Sequence, residues 1–460
     1  MDYDFFNDEN QQKEEEKKPE CVPAPRHAAG KPTQYRRRKI GWGKVVLSIA
    51  LAFVFFGLGM LTTWASLDPE MRTLLTVKKK IQNDYYKEIS DEDFYKTIFG
   101  GINNDLLDPY SRYMTPEEFA AMVSDMDGNR IGVGFIFTTQ QEEPLRVTRV
   151  CGNSPAEAAG IVAGEKIIGC GKEETSITPC STFEEFSACL SQYGEGEEFY
   201  VKVRAGETER AVKLFKAAYV ENYVFYRTKD KAYTFTGQSA DVLTETNTPL
   251  VCLDEDTAYI RLIQFAGNAG IEFAAAMTQF KQDGKKNLIL DLRENGGGYL
   301  EIMQEISSYF CKNSTEATPV VAVADFGEKR TVYKAKGNVY GEYFSDESRI
   351  CVLADRYSAS ASECLIGCMI DYGAIGYKDI CLTARGGVAK TYGKGIMQET
   401  TLVNLLEQDA ITLTTAEIRW PVSDNSIHNR GVLPEDGALV VEENINFDVE
   451  TENAIKKLFG

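Results

Sequence analysis

One stretch of this chain limits every architecture open to it: Val45–Ser66 is almost uninterruptedly apolar and carries no charge. About 20 such residues suffice to cross the hydrocarbon core of a bilayer. The basic cluster Arg36-Arg37-Arg38-Lys39 precedes the run, and basic flanks stay on the cytoplasmic side. The sequence therefore predicts a transmembrane anchor over 44–66, a polar cytoplasmic tail over 1–43 and an exported remainder after Leu67. A cleaved signal peptide is the competing reading. The run exceeds a usual h-region, and the small-residue site near Trp64-Ala65-Ser66 is poor.

The 460 residues leave room for two or three domains, and 43% hydrophobic with 26% charged residues is the composition of a folded protein. A net charge of −19 argues against a nucleic-acid partner, which would want basic patches on the folded part. Ten of the eleven cysteines follow the apolar run. Exported cysteines often pair, but these are scattered without a compact framework. Cys364 and Cys368 lie four apart in an apparent helix, where buried thiols serve as small hydrophobes. Mostly free thiols are expected. With no CxxC, no Cys/His cluster and two histidines, no metal site or cofactor is expected.

A helical region is expected over 71–128, where Thr115-Pro116-Glu117-Glu118 has the form of a capped helix start. It reads as a packing element, and as the place where two copies would pair. Residues 129–217 read as a compact β-rich unit with two short helices, the first opened by Ser154-Pro155 and closed by Gly160. From 218 to 460 buried strands alternate with helices. Asn287–Leu292 and Ile350–Asp355 are apolar runs, each followed by a helical segment, about 299–311 and 360–372. That alternation implies an α/β domain with a largely parallel sheet, whose site sits beyond the strands' carboxyl ends.

Two strand-end loops stand out. Asp291-Leu-Arg-Glu-Asn-Gly-Gly-Gly-Tyr-Leu300 places three glycines after a strand, where they permit a sharp turn that presents N–H groups. Ser358-Ala-Ser-Ala-Ser-Glu363 places serines at a helix N-terminus. Taken alone, a glycine-rich turn is more often structural and an N-cap serine more often inert. Beyond the apolar run there is one histidine, His428, in what reads as a surface turn, so lysine is the better activator. Tyr392-Gly-Lys-Gly-Ile-Met-Gln398 sets Lys394 between glycines, with Gln398 on the same face of a strand. A lysine serves as general base only when neutral, which burial promotes. An isolated lysine is ordinarily just solvated.

In this order, DLRENGGG, YSASASE, GKGIMQ and HNRGVLPED resemble the C-terminal processing peptidases (tail-specific proteases, family S41). The likeness runs over roughly 71–445. It implies Ser360 as nucleophile, Lys394 as base and Gln398 as its orienter, with the Gly297 and Ala361 amides as candidate oxyanion donors. It also implies a PDZ-like unit over 129–217, with Gly132, Val133, Gly134 and Phe135 in a loop that receives a peptide C-terminus. The expected fold is thus α/β and multidomain: anchor helix, helical lead-in, PDZ-like domain and α/β S41 serine protease core. The expected partners are C-terminal tails of exported or envelope proteins. The departures are Gly296 in place of the loop's usual proline, a longer stretch at 382–390 that raises Lys390 as rival base, and a long segment 222–248 without an assigned role. Asp371 matches a frequent family aspartate and reads as structural. A silent peptide-binding scaffold and a protease gated by peptide engagement, hinged at 218–225, are the alternatives.

Overall fold

The computed structural model describes residues 42–137, 145–236, 242–246, 249–404, 406, 408–444 and 446–459. The expected tail before Trp42, with its basic cluster, lies outside them. The chain divides into two compact units, Met1–Phe94 and Tyr95–Gly460. In the first, the helix Trp42–Ser66 contains Val45–Ser66, 22 residues with a mean hydropathy of 2.4, long and apolar enough to cross a membrane. The next helix, Pro69–Asp84, begins where the Asp68 carboxylate accepts the Met71 amide at 2.8 Å and proline fills the first helical position.

In the second unit, the expected helix start at Thr115 is present. Thr115 Oγ1 accepts the Glu118 amide at 3.3 Å, and the Glu118 carboxylate accepts the Thr115 amide at 3.0 Å, opening Pro116–Met126. The β-rich part follows. Its first strand, Asn129–Gly132, pairs with its last, Ala217–Val220, so the segment leaves and re-enters the rest of the chain at one place. It has a core of its own, in which Val147, Ile167, Val201 and Phe199 are buried against Phe186 of the helix Phe183–Leu190. A disulfide, Cys170–Cys189, ties that helix to the strand Lys166–Gly171, while the eight other described cysteines are free.

The larger part is built on an eight-stranded sheet. Its order is Val242–Thr246, Ala232–Thr236, Val224–Arg227, Thr257–Leu262, Asn287–Asp291, Ile350–Asp355, Ile380–Ala384 and Leu439–Glu442. The last five run parallel. The first three are antiparallel additions supplied by the segment 222–248, whose residues 237–241 and 247–248 are not described. Helices Ala269–Gln282, Leu300–Ser307 and Ala361–Asp371 contribute Phe273, Met303 and Leu365 to the core on the face of Leu288 and Leu290. The C-terminal helix Phe447–Phe459 buries Ile455 and Leu458 with Ile289 and Leu353. A strand covered on both faces needs apolar residues at successive positions, which is why Asn287–Leu292 reads as a continuous run.

A second, antiparallel sheet is organised around the long strand Ala410–Arg419. It pairs with Arg112–Met114, Ile396–Leu402 and Val320–Asp325. The stretch 218–225, where the gated alternative places a hinge, is densely bonded. Glu221 is buried between Arg130 and Arg149, and Glu272 accepts the Tyr223 and Val224 amides at 2.7 and 2.9 Å.

Candidate active site

Two loops leave neighbouring parallel strands at their carboxyl ends and are stitched together. Ala359 N–H and Ser362 Oγ donate to the Asn295 carbonyl at 3.0 and 2.9 Å, and Ser358 Oγ donates to the Leu292 carbonyl at 2.7 Å. The Asp355 carboxylate accepts the Glu294 amide from the opposite loop at 3.0 Å. Ser360 ends the second loop, with φ at +57° directly before the helix Ala361–Asp371. Such a conformation costs a non-glycine residue about 1–3 kcal/mol and persists only where its surroundings enforce it. Here Glu363 does so, accepting the Ser360 amide at 3.1 Å.

Gly297 faces that serine, with φ at +99°. A Cβ there would lie 2.8 Å from Ser360 Cβ and 2.9 Å from the Ala361 amide nitrogen, so only glycine lets the loops approach. Gly298 is held as tightly against the Phe265 carbonyl, whereas a Cβ on Gly296 would meet nothing within 4 Å. A larger residue would therefore fit at position 296, so packing around the Cβ does not require glycine there. The Gly297 amide donates to Asn295 Oδ1 at 2.9 Å, and the Ala361 amide, first in its helix, has no intrahelical acceptor.

Ser360, Gly297, Ala361, Lys394 and Gln398 line one cavity of about 800 Å³. Lys394 lies just before the strand Ile396–Leu402, not within it, and the pairing of that strand is irregular between Met397 and Gln398. Simple alternation therefore fails, yet the expected contact forms: Lys394 Nζ donates to Gln398 Oε1 at 2.5 Å. Burial lowers the Lys394 pKa from that of a free lysine, against the opposing charges of Asp108 and Glu363. Among the described residues, Lys394 makes no ion pair and no hydrogen bond joins it to Ser360 Oγ.

Lys390 is not among the residues lining the cavity. His428 lies in a turn, as expected, and is half-buried there, its backbone packed where a Cβ on Gly395 would lie 2.8 Å from its amide nitrogen. Asp371 accepts the Val422 and Ser423 amides at 2.8 and 2.9 Å, which ties the far end of the serine-bearing helix to the following chain. Gly132, Val133, Gly134 and Phe135 sit together elsewhere, between Asn129–Gly132 and Phe135–Phe137. Gly134 has φ at +89°, and the Phe135 ring lies 5.9 Å from that of Phe186.

Sequence reasoning passed over three groups. Glu363, fully buried, accepts Thr391 Oγ1 at 2.6 Å, the Gly393 amide at 2.8 Å and the Lys394 amide at 2.9 Å, besides Ser360. One carboxylate thus holds both the serine and the lysine loop. The spacing Ser360-x-x-Glu363, a helix-capping pattern, was the available signal. Behind the loops lies a buried ion network. Arg293 pairs with Asp291 and, at 2.7 Å, with Glu450 of the C-terminal helix. Arg385, from the long stretch 382–390, binds Glu450 at 2.9 Å and Asp355 at 3.0 Å. Third, Tyr110 enters the cavity from the helical lead-in.

Residues 256–436 match peptidase family S41. Over that segment the chain is similar to the S41 peptidases. Its curated relatives include a "Probable CtpA-like serine protease" of Staphylococcus haemolyticus, 24% identical over 367 residues, covering 80% of this chain and 64% of the relative. The protein of the same description in Staphylococcus aureus is 25% identical over 360 residues, covering 78% of this chain and 63% of the relative. The chain thus spans just under two thirds of these relatives' length. Among solved structures, the photosystem II D1 C-terminal processing protease aligns with a TM-score of 0.45 at 20% identity, over 81% of this chain and 88% of that one. The S41 match encloses Ser360, Lys394 and Gln398 and leaves out the β-rich part.

Proposed function

We propose that this chain is a membrane-anchored serine endopeptidase that acts on the C-terminal tails of exported or envelope proteins. Ser360 Oγ attacks the scissile carbonyl while the neutral Lys394 amine takes its proton. The resulting oxyanion is met by the Ala361 and Gly297 amides. The Lys394 ammonium then protonates the departing amine, the C–N bond breaks and an acyl-enzyme remains. Water, deprotonated by Lys394, attacks that ester and frees Ser360. Each oxyanion donor is worth about 3 kcal/mol.

The setting of Lys394 carries this reading: an amine partly removed from water, hydrogen-bonded to a neutral amide, in one cavity with a strained serine. A carboxylate in place of Gln398 would hold the lysine charged. Tail recognition is assigned to the β-rich part as a PDZ-like unit. The short strand Phe135–Phe137 pairs, among the described residues, only with Val147–Val150, which leaves its other edge for an added strand beside the Phe183–Leu190 helix. The anchored, extracytoplasmic placement rests on the Val45–Ser66 helix and the basic cluster before it. A resting, gated enzyme is the second reading, favoured because the Gly297 amide is engaged by Asn295.

The test uses the full-length chain in detergent, its Ser360→Ala variant and an unstructured protein with an apolar C-terminal tail, followed by intact mass spectrometry. Cleavage by the first alone supports the assignment. Tail binding without cleavage by either chain turns it toward the gated enzyme or a scaffold.

A further inference from the structure

The residues that hold Gln398 come from a distant part of the sequence. Gln398 Nε2 donates to the Tyr110 carbonyl, a contact spanning 288 positions. An amide has one donating and one accepting end, so fixing the NH₂ on a carbonyl turns the oxygen toward Lys394. The lysine donates one hydrogen to that oxygen, which in the proposed mechanism leaves the neutral amine's lone pair free to take the Ser360 proton. A flipped amide would donate into the lone pair and abolish the base. The Tyr110 ring adds a second constraint, its centroid 5.2 Å from Lys394 Nζ, with the Tyr392 ring edge-on to it at 6.5 Å.

Tyr110 does not sit there by chance of a loose loop. Asp108 Oδ1 accepts the Tyr110 and Ser111 amides at 2.8 and 3.0 Å, and Asp108 Oδ2 accepts Ser111 Oγ at 2.8 Å. Ser111 Oγ in turn accepts the Thr414 amide at 2.8 Å, and Arg112–Met114 continues as a strand beside Ala410–Thr412. The turn is thereby fastened to the sheet that carries Gln398.

We infer that Tyr110 is a positioning residue of the peptidase site: its carbonyl fixes the Gln398 amide with oxygen toward Lys394, and its ring covers the lysine amine. The inference rests on Lys394 being the general base. The groups acting on that amine are Gln398, the Tyr110 ring, and the carboxylates of Asp108 and Glu363, both satisfied by other donors.

The test measures Lys394 without requiring turnover. Full-length wild type, Tyr110→Ala and Tyr110→Phe are acylated with acetic anhydride across a pH series, and Lys394 labelling is read by peptide mass spectrometry. Unreactive Cys351 and Cys381 thiols mark an intact core. Tyr110→Leu, which keeps bulk but lacks the aromatic face, stands in where alanine opens that core. Removing the ring admits water and favours the ammonium. The Lys394 labelling midpoint is therefore expected to rise by about one pH unit in Tyr110→Ala and to stay put in Tyr110→Phe. In parallel, kcat on a tail peptide falls about 10-fold or more in Tyr110→Ala, with KM little changed. A wild-type midpoint in Tyr110→Ala, or an equal rise in Tyr110→Phe, overturns the inference. Ser360→Ala, which loses all cleavage but labels at Lys394 as wild type does, separates this outcome from failure of the peptidase reading.

Discussion

At the scale of single residues, the site depends on Glu363 as much as on the pair it joins. Its carboxylate is out of water, and burial pushes its pKa up while four donors pull the other way. Glu363→Gln preserves the shape but turns an NH₂ toward two of those donors. The variant is expected to lose about 3 kcal/mol of stability, read as a lower Tm, and about 100-fold in kcat, because both reacting groups shift. Lys394 makes its own prediction. A base must be unprotonated, so kcat/KM should rise with pH through a pKa below the free-lysine value, which burial has lowered. Lys394→Arg stays charged at every accessible pH and is expected to lose at least about 1000-fold in kcat/KM throughout a pH series. That Ser360, Lys394 and Gln398 share one cavity could be anticipated from sequence, because each has a side chain of distinctive chemistry in a short motif. Tyr110 could not: the contact it makes with Gln398 is through a carbonyl, which every residue possesses.

Among the elements, the parallel strands and their helices were legible because burial on both faces leaves continuous apolar runs bounded by polar tips. The extra stretches were not. The segment 222–248 extends the sheet edge, and 382–390 delivers Arg385 to Glu450 and Asp355, roles fixed by partners far along the chain. The bonding at 218–225 was not legible for the same reason: its partner Glu272 lies on the helix Ala269–Gln282. Burial there raises the Glu272 pKa to about 7. A carboxyl whose folded pKa is raised stabilises the fold fully below its unfolded value and loses that contribution as pH climbs through about 7. Glu272→Gln, able to accept the same two amides, is expected to match wild type near pH 4. By pH 8 it should be more stable by about 3 kcal/mol, a difference visible in Tm across a pH series.

Across the whole molecule, the expected order of anchor, helical lead-in, β-rich part and α/β core follows from where periodicity and composition change. Expectations about the thiols held in the main, with eight described cysteines free, but nothing in the spacing of Cys170 and Cys189 marked them as a pair. The β-rich part opens and closes at one place, so it interrupts the sequence without interrupting the catalytic sheet. The strand Arg112–Met114, made before it, must wait for Ala410–Thr412, made long after. A ribosome delivers these segments hundreds of residues apart. While the chain is being synthesised, Ser360 and Lys394 exist without the strand that seats Gln398 and Tyr110 against them. Until that strand is made, the nascent polypeptide has no complete site. On the anchored reading, its final segments are threaded across the bilayer before the site can close, which confines cutting to the far side.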